Sequence, residues 1–515
     1  MKPRPLLILL GLILLALAQR GPVITAPRLD LFGGYSEDFS REDGSVVVGE
    51  EEARVNVAMD LLKGPVVPLI DYQYANYCGG SLIVSMMLAP MISVLGPNIW
   101  TLRLLALLFH LVGLVCIFRV LDGWASRRAA IFGGVLWSLA APGFVINTMV
   151  VWGTHVESNV VALCTLWLFM HIHSTESKVP LKRGLLGFLQ GLNVYIGYQA
   201  VLHLCMLVFF DLHPKRFPKP KALAAQLAGF AVGFSPWLWY NLRNNWAGLN
   251  IYGKDLGENV TGVSIWQKWW SLFTQHLPDA QWFPKAFGSA GPTLNWIYIV
   301  FLIAAAAFGA LWFVRSERKA PHPGQVAGIF LLGFVFAYGI TGFGIYPKED
   351  AFGYRYPQIM TPWLILAAAV GLDRLAGKQG PGRAVAWASC ILIASVCLYT
   401  STFRLTNYER FGNEQKTSAY RPSSHALWLF SSYHQNPERY PDLLRSLQAK
   451  RPPEEVESML RDLGNYTHWL GADQPGFGPE QLEFAANLRR MREILIEELP
   501  PEQHHLLPVP GSPRE

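Results

Sequence analysis

The chain has 515 residues, 51% hydrophobic and only 16% charged, where an average soluble domain carries about 25% charged residues. That balance excludes a single water-soluble globule and points to lipid. The net charge of +6 does not indicate nucleic acid, because most basic residues sit in short loops between apolar segments and not on one soluble face.

The first apolar run, Leu6 to Ala18, follows Lys2 and Arg4. Positive charge ahead of it holds the N-terminus in the cytoplasm and places residues from about 20 onward outside. The run is short and ends in Ala16-Leu17-Ala18, so a cleaved signal peptide stands as an alternative to a retained helix. Next comes "VVVGEEEARVNVAMDLLKG", Val46 to Gly64, with three adjacent glutamates in a charge-poor chain. Like charges repel and stay solvated, and Glu is favoured in a first helical turn, so the simplest expectation is an exposed helix start.

The stretch Gly79 to Gly96 is apolar enough to span, but counting it as a crossing makes the later loops break the charge rule. It is therefore expected to lie in the interface. Ile99 to Leu121 then crosses inward, and Ala125 to Arg128 is cytoplasmic. The remaining cytoplasmic loops become His173 to Arg183, His213 to Lys221, Arg315 to Gly324 and Asp373 to Arg383, all basic. Left outside are the glutamate loop, "WGTHVESN" (Trp152 to Asn159), an aromatic loop from Arg243 to Gly291, "IYPKEDAFGYRYP" (Ile345 to Pro357) and the tail. At about 20 apolar residues per crossing, this predicts an all-α polytopic membrane protein of roughly eleven transmembrane helices.

From Asn407 the sequence turns polar and Pro-punctuated. The expected organisation is a membrane domain over 1–401, with its first outer loop at about 20–97, a small helical extracytoplasmic tail domain over 402–505, and no fixed structure over 506–515. In the tail, Pro452 to Gly464 and Pro479 to Leu499 carry helix-start signals. Leu482, Phe484, Ala485, Leu488, Met491 and Ile494 fall near one stripe of the second. Five of the six cysteines (Cys116, Cys164, Cys205, Cys390, Cys397) lie in apolar runs as small hydrophobes, and no CxxC or Cys/His metal spacing appears.

Both signs of charge converge on the outer segments. Glu50, Glu51, Glu52 and Glu157 are candidate bases, and Arg54, Lys63, Lys348 and Arg355 are candidate holders of an anionic group such as a phosphate. Glycosyl transfer from a lipid phosphate needs both: a carboxylate to deprotonate the attacking hydroxyl, and cations to stabilise the departing phosphate. A polyprenyl tail needs a hydrophobic groove, for which Leu82 to Gly96 and "SIWQKWWSLF" (Ser264 to Phe273) are suitable walls. "GGSL" (Gly79 to Leu82) offers a close backbone approach or a simple turn. "WLWYNLRNN" (Trp237 to Asn245) is expected first as an interfacial aromatic belt.

The order "EEA…A..LLKG", "NYCGGSLIVSMMLAPMISVLGPNIWTLRL", "GTHVESN", "GFSPWLWYNLRNN", "RYPQIMTPWLILAAAVGL" resembles the GT-C superfamily of integral-membrane glycosyltransferases. It is most similar to bacterial members of the protein O-mannosyltransferase and aminoarabinose-transferase group. The resemblance covers roughly residues 1–401 and implies an inverting transferase of the bacterial inner membrane, using a polyprenyl-phosphate sugar as donor and an envelope lipid, glycan or protein as acceptor. It implies an acidic pair ahead of the "A..LL.G" helix, falling on Glu50 and Glu51 or on Glu51 and Glu52. Glu51 is common to both, although the family usually has Asp first. It further implies a second acid at Glu157 with His155 beside it, and an "RY" opening at Arg355 and Tyr356. The group generally works without a metal, whereas oligosaccharyltransferase relatives hold one with several acids, so no metal is expected here and a divalent cation stays open. A transporter of lipid-linked sugars and a non-catalytic scaffold are the alternatives from other classes.

Overall fold

A computed structural model of the chain describes residues 3–25, 49–72, 79–174, 179–213, 217–244, 246–249, 263–281, 283, 288–313, 321–340, 356–377, 380–406, 425, 429–430, 437–470 and 479–509. The regular elements among the described residues are all helical, in line with the all-α class. They fall into two compact units. The first comprises residues 1–46, 102–235 and 252–415; the second comprises 47–101, 236–251 and 416–515.

The first unit is built from α1 (Pro3–Thr25), most of α4 (Ile99–Trp124), α5 (Arg127–Ser138), α6 (Pro142–Asn147), α7 (His155–Ser174), α8 (Val179–Ile196), α9 (Ala200–Asp211) and most of α10 (Pro220–Arg243). It continues through α11 (Ile265–Ser271), α12 (Gly291–Phe313), α13 (Pro323–Ile340), α14 (Thr361–Gly377) and α15 (Pro381–Thr406). Among the described residues seven helices are long and apolar enough to cross a membrane: α4, α7, α10, α12, α13, α14 and α15. Shorter apolar helical stretches occur in α1 and α9.

Helices in lipid gain little from the hydrophobic effect and associate by close backbone packing. The α12/α14 contact shows it. A Cβ on Gly371 would stand 2.0 Å from the Ala305 carbonyl oxygen, and one on Gly309 would stand 2.2 Å from that of Ala367. The α8/α10 contact repeats the device with Gly187, Gly191, Gly229 and Gly233.

Buried polar groups tie the bundle. Arg183, opening α8, pairs with Asp211, closing α9, donates to Gln226 Oε1 on α10 at 2.9 Å, and shares Asp211 with His173 of α7. Arg128 of α5 reaches Asp373 of α14 at 2.9 Å. Each set joins loops that the charge rule assigns to the same side. Gln19 and Arg20 lie inside α1, where the sequence predicted the start of an outer loop. Both are fully buried, with Gln19 Nε2 donating to Ala140 O at 2.8 Å and Arg20 Nη1 to Ser138 O at 2.9 Å. They supply donors to the orphan carbonyls at the C-terminal end of α5.

The second unit contains α2 (Gly49–Lys63), a 3₁₀ turn (Leu69–Asp71), α3 (Gly80–Leu95), α16 (Tyr440–Lys450), α17 (Pro453–Leu470), α18 (Pro479–Glu498) and a 3₁₀ turn (Pro501–Leu506). One core runs through it, from Ala53, Val57 and Tyr72 to Leu443, Leu463, Met491 and Leu495. The tail therefore packs with the glutamate segment in one unit, whereas the sequence divides the chain at 401. Of the expected α18 stripe, Ala485, Leu488 and Met491 are buried and Ile494 partly so; the side chains of Leu482 and Phe484 lie outside the described set. The segment from Leu506, expected to lack structure, opens on two buried residues. Leu506 and Leu507 are buried, and Arg492 Nε donates to the Leu507 carbonyl at 2.8 Å.

Candidate functional site

Helix α2 carries the glutamates, and it is not the solvated helix start that like-charge repulsion predicts. Glu51 is 0% exposed and Glu52 9%, while Arg54 and Asn56 are also buried. The helix has little amphipathic character because Ala53, Val55, Val57 and Ala58 are buried as well, so most of its circumference is covered. It packs against α3, whose Ser85 hydroxyl donates to the Arg54 carbonyl at 2.9 Å. A carboxylate removed from water is costly unless it is engaged by polar partners, and Glu51, Glu52 and Arg54 all have them. Glu51 and Arg54 are three residues apart, hence neighbours on the helix surface. The side chain of Glu50 lies outside the described residues.

Lys63 lies at the end of α2. Its ammonium meets Glu455 of the tail at 2.7 Å, with the side chain 32% exposed.

The C-terminal half of α2 holds a network that sequence inspection missed. Asp60 is 1% exposed. It accepts from Tyr72 Oη at 2.7 Å, lies 3.0 Å from His425 Nε2 and forms a charge-assisted bond with Arg451 Nη2. Burial alone would raise the Asp60 carboxyl, but His425 and Arg451 outweigh it and hold the group at about 2. Burial, with the Asp60 charge adding to it, pushes the Tyr72 phenol up, so it remains a donor. A second ion pair joins Arg439 of the tail to Asp71 at 2.8 Å. The signal for Asp60 was its place seven positions along from Ala53 and three from Val57, on the same side of α2 as those two apolar residues, where a solvated acid would not sit.

In the first unit, the turn ahead of α7 passes through Gly153 at a φ of 78°, a conformation that favours glycine. It delivers His155 and Glu157 to the first turn of the helix. His155 Nδ1 pairs with Gln199 Oε1 at 2.9 Å, Gln199 Nε2 returns to the His155 carbonyl at 2.9 Å, and Tyr356 packs edge-on against the imidazole with centroids 5.2 Å apart. The structure thus brings His155 and Tyr356 together. Glu157 is 2% exposed at the positive end of the helix dipole. Asn147, Thr148, His155, Asn159 and Gln358 line a small cavity of 10 Å³, about the size of one water. Lys348 and Arg355 lie outside the described residues. No cluster of three or more His, Cys, Asp or Glu able to hold a metal occurs among the described residues.

A larger cavity of 840 Å³ opens between α9, α12, α13 and α14. Its walls are apolar, with Phe209, Phe210, Phe273, Ala306, Leu332 and Leu364 among them. Phe273 belongs to the aromatic stretch predicted as a groove wall. Next to it, α11 is capped by Ser264 and Gln267 in a reciprocal box and exposes Trp266 and Trp270.

No family model matches the chain, and no curated protein matches it by sequence. Solved structures do. ArnT from Cupriavidus metallidurans bound to undecaprenyl phosphate is 14% identical, with 99% of this chain and 90% of that one covered at a TM-score of 0.46. The apo state of the same protein is 16% identical, with 88% and 76% covered at 0.45. The archaeal oligosaccharyltransferase AglB from Archaeoglobus fulgidus, in complex with an inhibitory peptide and a dolichol-phosphate, is 11% identical at 0.46. The match takes in 89% of this chain and spans only 60% of the AglB chain.

Proposed function

We propose that the protein is an inverting glycosyltransferase that moves a sugar from a polyprenyl-phosphate donor to an envelope acceptor on the outer face of the bacterial inner membrane. The observation that carries this is the burial of Glu51 and Arg54 one turn apart on α2, a carboxylate and a guanidinium kept from bulk water where each acts most strongly. Glu51 takes the proton of the acceptor hydroxyl as its oxygen bonds to the anomeric carbon. The bond from that carbon to the phosphate oxygen breaks on the opposite face, and its electron pair leaves with the phosphate. Arg54 would stabilise the charge that develops there.

The 840 Å³ apolar cavity supports a lipid-borne donor, since a polyprenyl chain needs such a wall along the membrane domain. Helix α3 supports a site at the surface. Its 16 residues give about 24 Å of helix, short of the roughly 30 Å hydrocarbon core, and it exposes Met86, Met87, Val94 and Leu95 as an interfacial helix does.

Mass spectrometry of lipid-linked sugars and envelope glycans from a strain lacking the protein tests the proposal. One polyprenyl-phosphate sugar should accumulate while one envelope modification disappears. Unchanged profiles of both would remove the transferase assignment. A donor that accumulates only on the cytoplasmic leaflet would favour a transporter.

A further inference from the structure

The buried Asp60 network lies at the far end of the helix that carries Glu51. Nine residues separate the two acids, about 14 Å along the helix axis. Among the described residues, side chains from the turn behind it and from the tail engage the C-terminal end of α2. Gly64, at a φ of 100°, ends the helix as a left-handed C′ residue. Arg451 Nη2 then donates to the Gly64 carbonyl at 2.9 Å while also binding Asp60, and Lys450 Nζ donates to the Pro65 carbonyl at 2.6 Å. Two cationic residues of the tail thus stand just beyond the negative end of the helix, bonded to the carbonyls of the turn that follows it. His425 adds a second contact to Asp60, and Ser446 Oγ donates to the Val66 carbonyl at 2.5 Å.

Bonds of this kind fix rotation as well as position. Asp60 offers two carboxylate oxygens, one to Arg451 and the other to Tyr72 and His425, and all four side chains are buried. A turn of α2 about its axis would break these bonds and leave the Asp60 carboxylate buried without its cation, which is strongly destabilising, while Arg451 would keep only its tail contacts to Glu455 at 3.9 Å and to the Lys450 carbonyl at 2.8 Å. A surface docking module would not need such a network.

We propose that Asp60 and Arg451, with His425 and Tyr72, are positioning residues that lock the axial rotation of α2, so that the C-terminal segment is part of the transfer machinery and sets where Glu51 points. The catalytic half rests on the transferase function proposed above; the lock itself does not. Lipid-linked transfer depends on the base standing within hydrogen-bond reach of the hydroxyl, and a misplacement of about 1 Å costs on the order of a hundredfold.

The test uses the full-length protein in detergent. Hydrogen exchange is followed over residues 50–58 in wild type, Arg451→Met, Arg451→Lys, Asp60→Asn and Val456→Ala, and kcat and donor KM are measured in parallel. Val456 is a buried tail residue in the shared core but outside the hydrogen-bonded network, and its truncation lowers stability while leaving the Asp60 bonds in place. Arg451→Met should speed exchange over 50–58 by about tenfold or more, Arg451→Lys should recover most of the protection, and Val456→Ala should leave that segment at the wild-type rate. The kcat of Arg451→Met should fall by about tenfold or more with donor KM within about twofold, and Arg451→Lys should restore much of it. If Arg451→Met does not yield folded protein, Asp60→Asn, which keeps the side-chain shape, gives the same reading. Unchanged exchange over 50–58, or equal loosening in Val456→Ala, overturns the lock. Loosened exchange with kcat unchanged overturns its catalytic half. Should wild type transfer no sugar from any donor, the exchange data still decide the lock, and only the transferase function falls.

Discussion

Asp60 and Arg451 stand 391 residues apart in the chain and meet as a buried ion pair, each side chain 1% exposed. One belongs to the helix that carries the glutamates, the other to the C-terminal tail. Their pairing makes the tail and the glutamate segment one folded unit.

The pair has a pH signature. Asp60 is held at about 2 in the folded protein against an unperturbed 3.8. A carboxyl with a depressed folded value contributes stability that is complete above the unfolded value and is lost as pH falls towards the folded one. Thermal melts in detergent should therefore show a loss on the order of 2 kcal/mol between about pH 4 and pH 2 that is traceable to this group. Asp60→Asn should be less stable at pH 7 and lack that part of the slope. A variant as acid-sensitive as wild type would place the sensitivity elsewhere.

The membrane unit makes a packing prediction. With a Cβ on Gly371 only 2.0 Å from the Ala305 carbonyl, Gly371→Val must push α12 and α14 apart. The cost should be at least about 1–3 kcal/mol, the range for overpacking a close-packed contact. It would be read as a lower melting temperature and a poorer monodisperse yield by size-exclusion chromatography. Gly333→Val, in α13 with nothing within 4 Å of its Cβ position, should behave nearly as wild type. Equal behaviour of the two would contradict the close α12/α14 approach.

Much of this architecture was legible because lipid imposes it. Long apolar runs must become helices, and short basic loops mark their ends, so α4, α7, α12, α14 and α15 could be drawn from sequence. The grouping of Arg183 with Asp211, and of Arg128 with Asp373, follows the same charge pattern. What was not legible depends on long-range pairing. Nothing local to "AMDLLKG" shows that Asp60 meets Arg451, and like-charge repulsion predicts exposure for Glu51, because a sequence cannot display the partners that make burial tolerable. Arg20 and Gln19 looked like a loop start for the same reason: their acceptors, the carbonyls closing α5, lie more than a hundred residues away in the chain. Leu506 and Leu507 sit in a Pro-rich, polar context that reads as a free end, yet two adjacent leucines supply enough apolar surface to hold the segment down.

The central claim is that Glu51 is the base of a transfer reaction. The most direct measurement is sugar transfer from a purified polyprenyl-phosphate donor by Glu51→Gln, run beside Glu50→Gln, Glu52→Gln and Glu157→Gln. Gln keeps the size and hydrogen bonding but cannot take the proton, so kcat should fall by roughly 10²- to 10⁴-fold with donor affinity retained. Near-full activity in Glu51→Gln, with Glu50→Gln or Glu157→Gln inactive, would contradict the choice of base, and activity in all four would show that the buried glutamates of α2 only hold the helix in place.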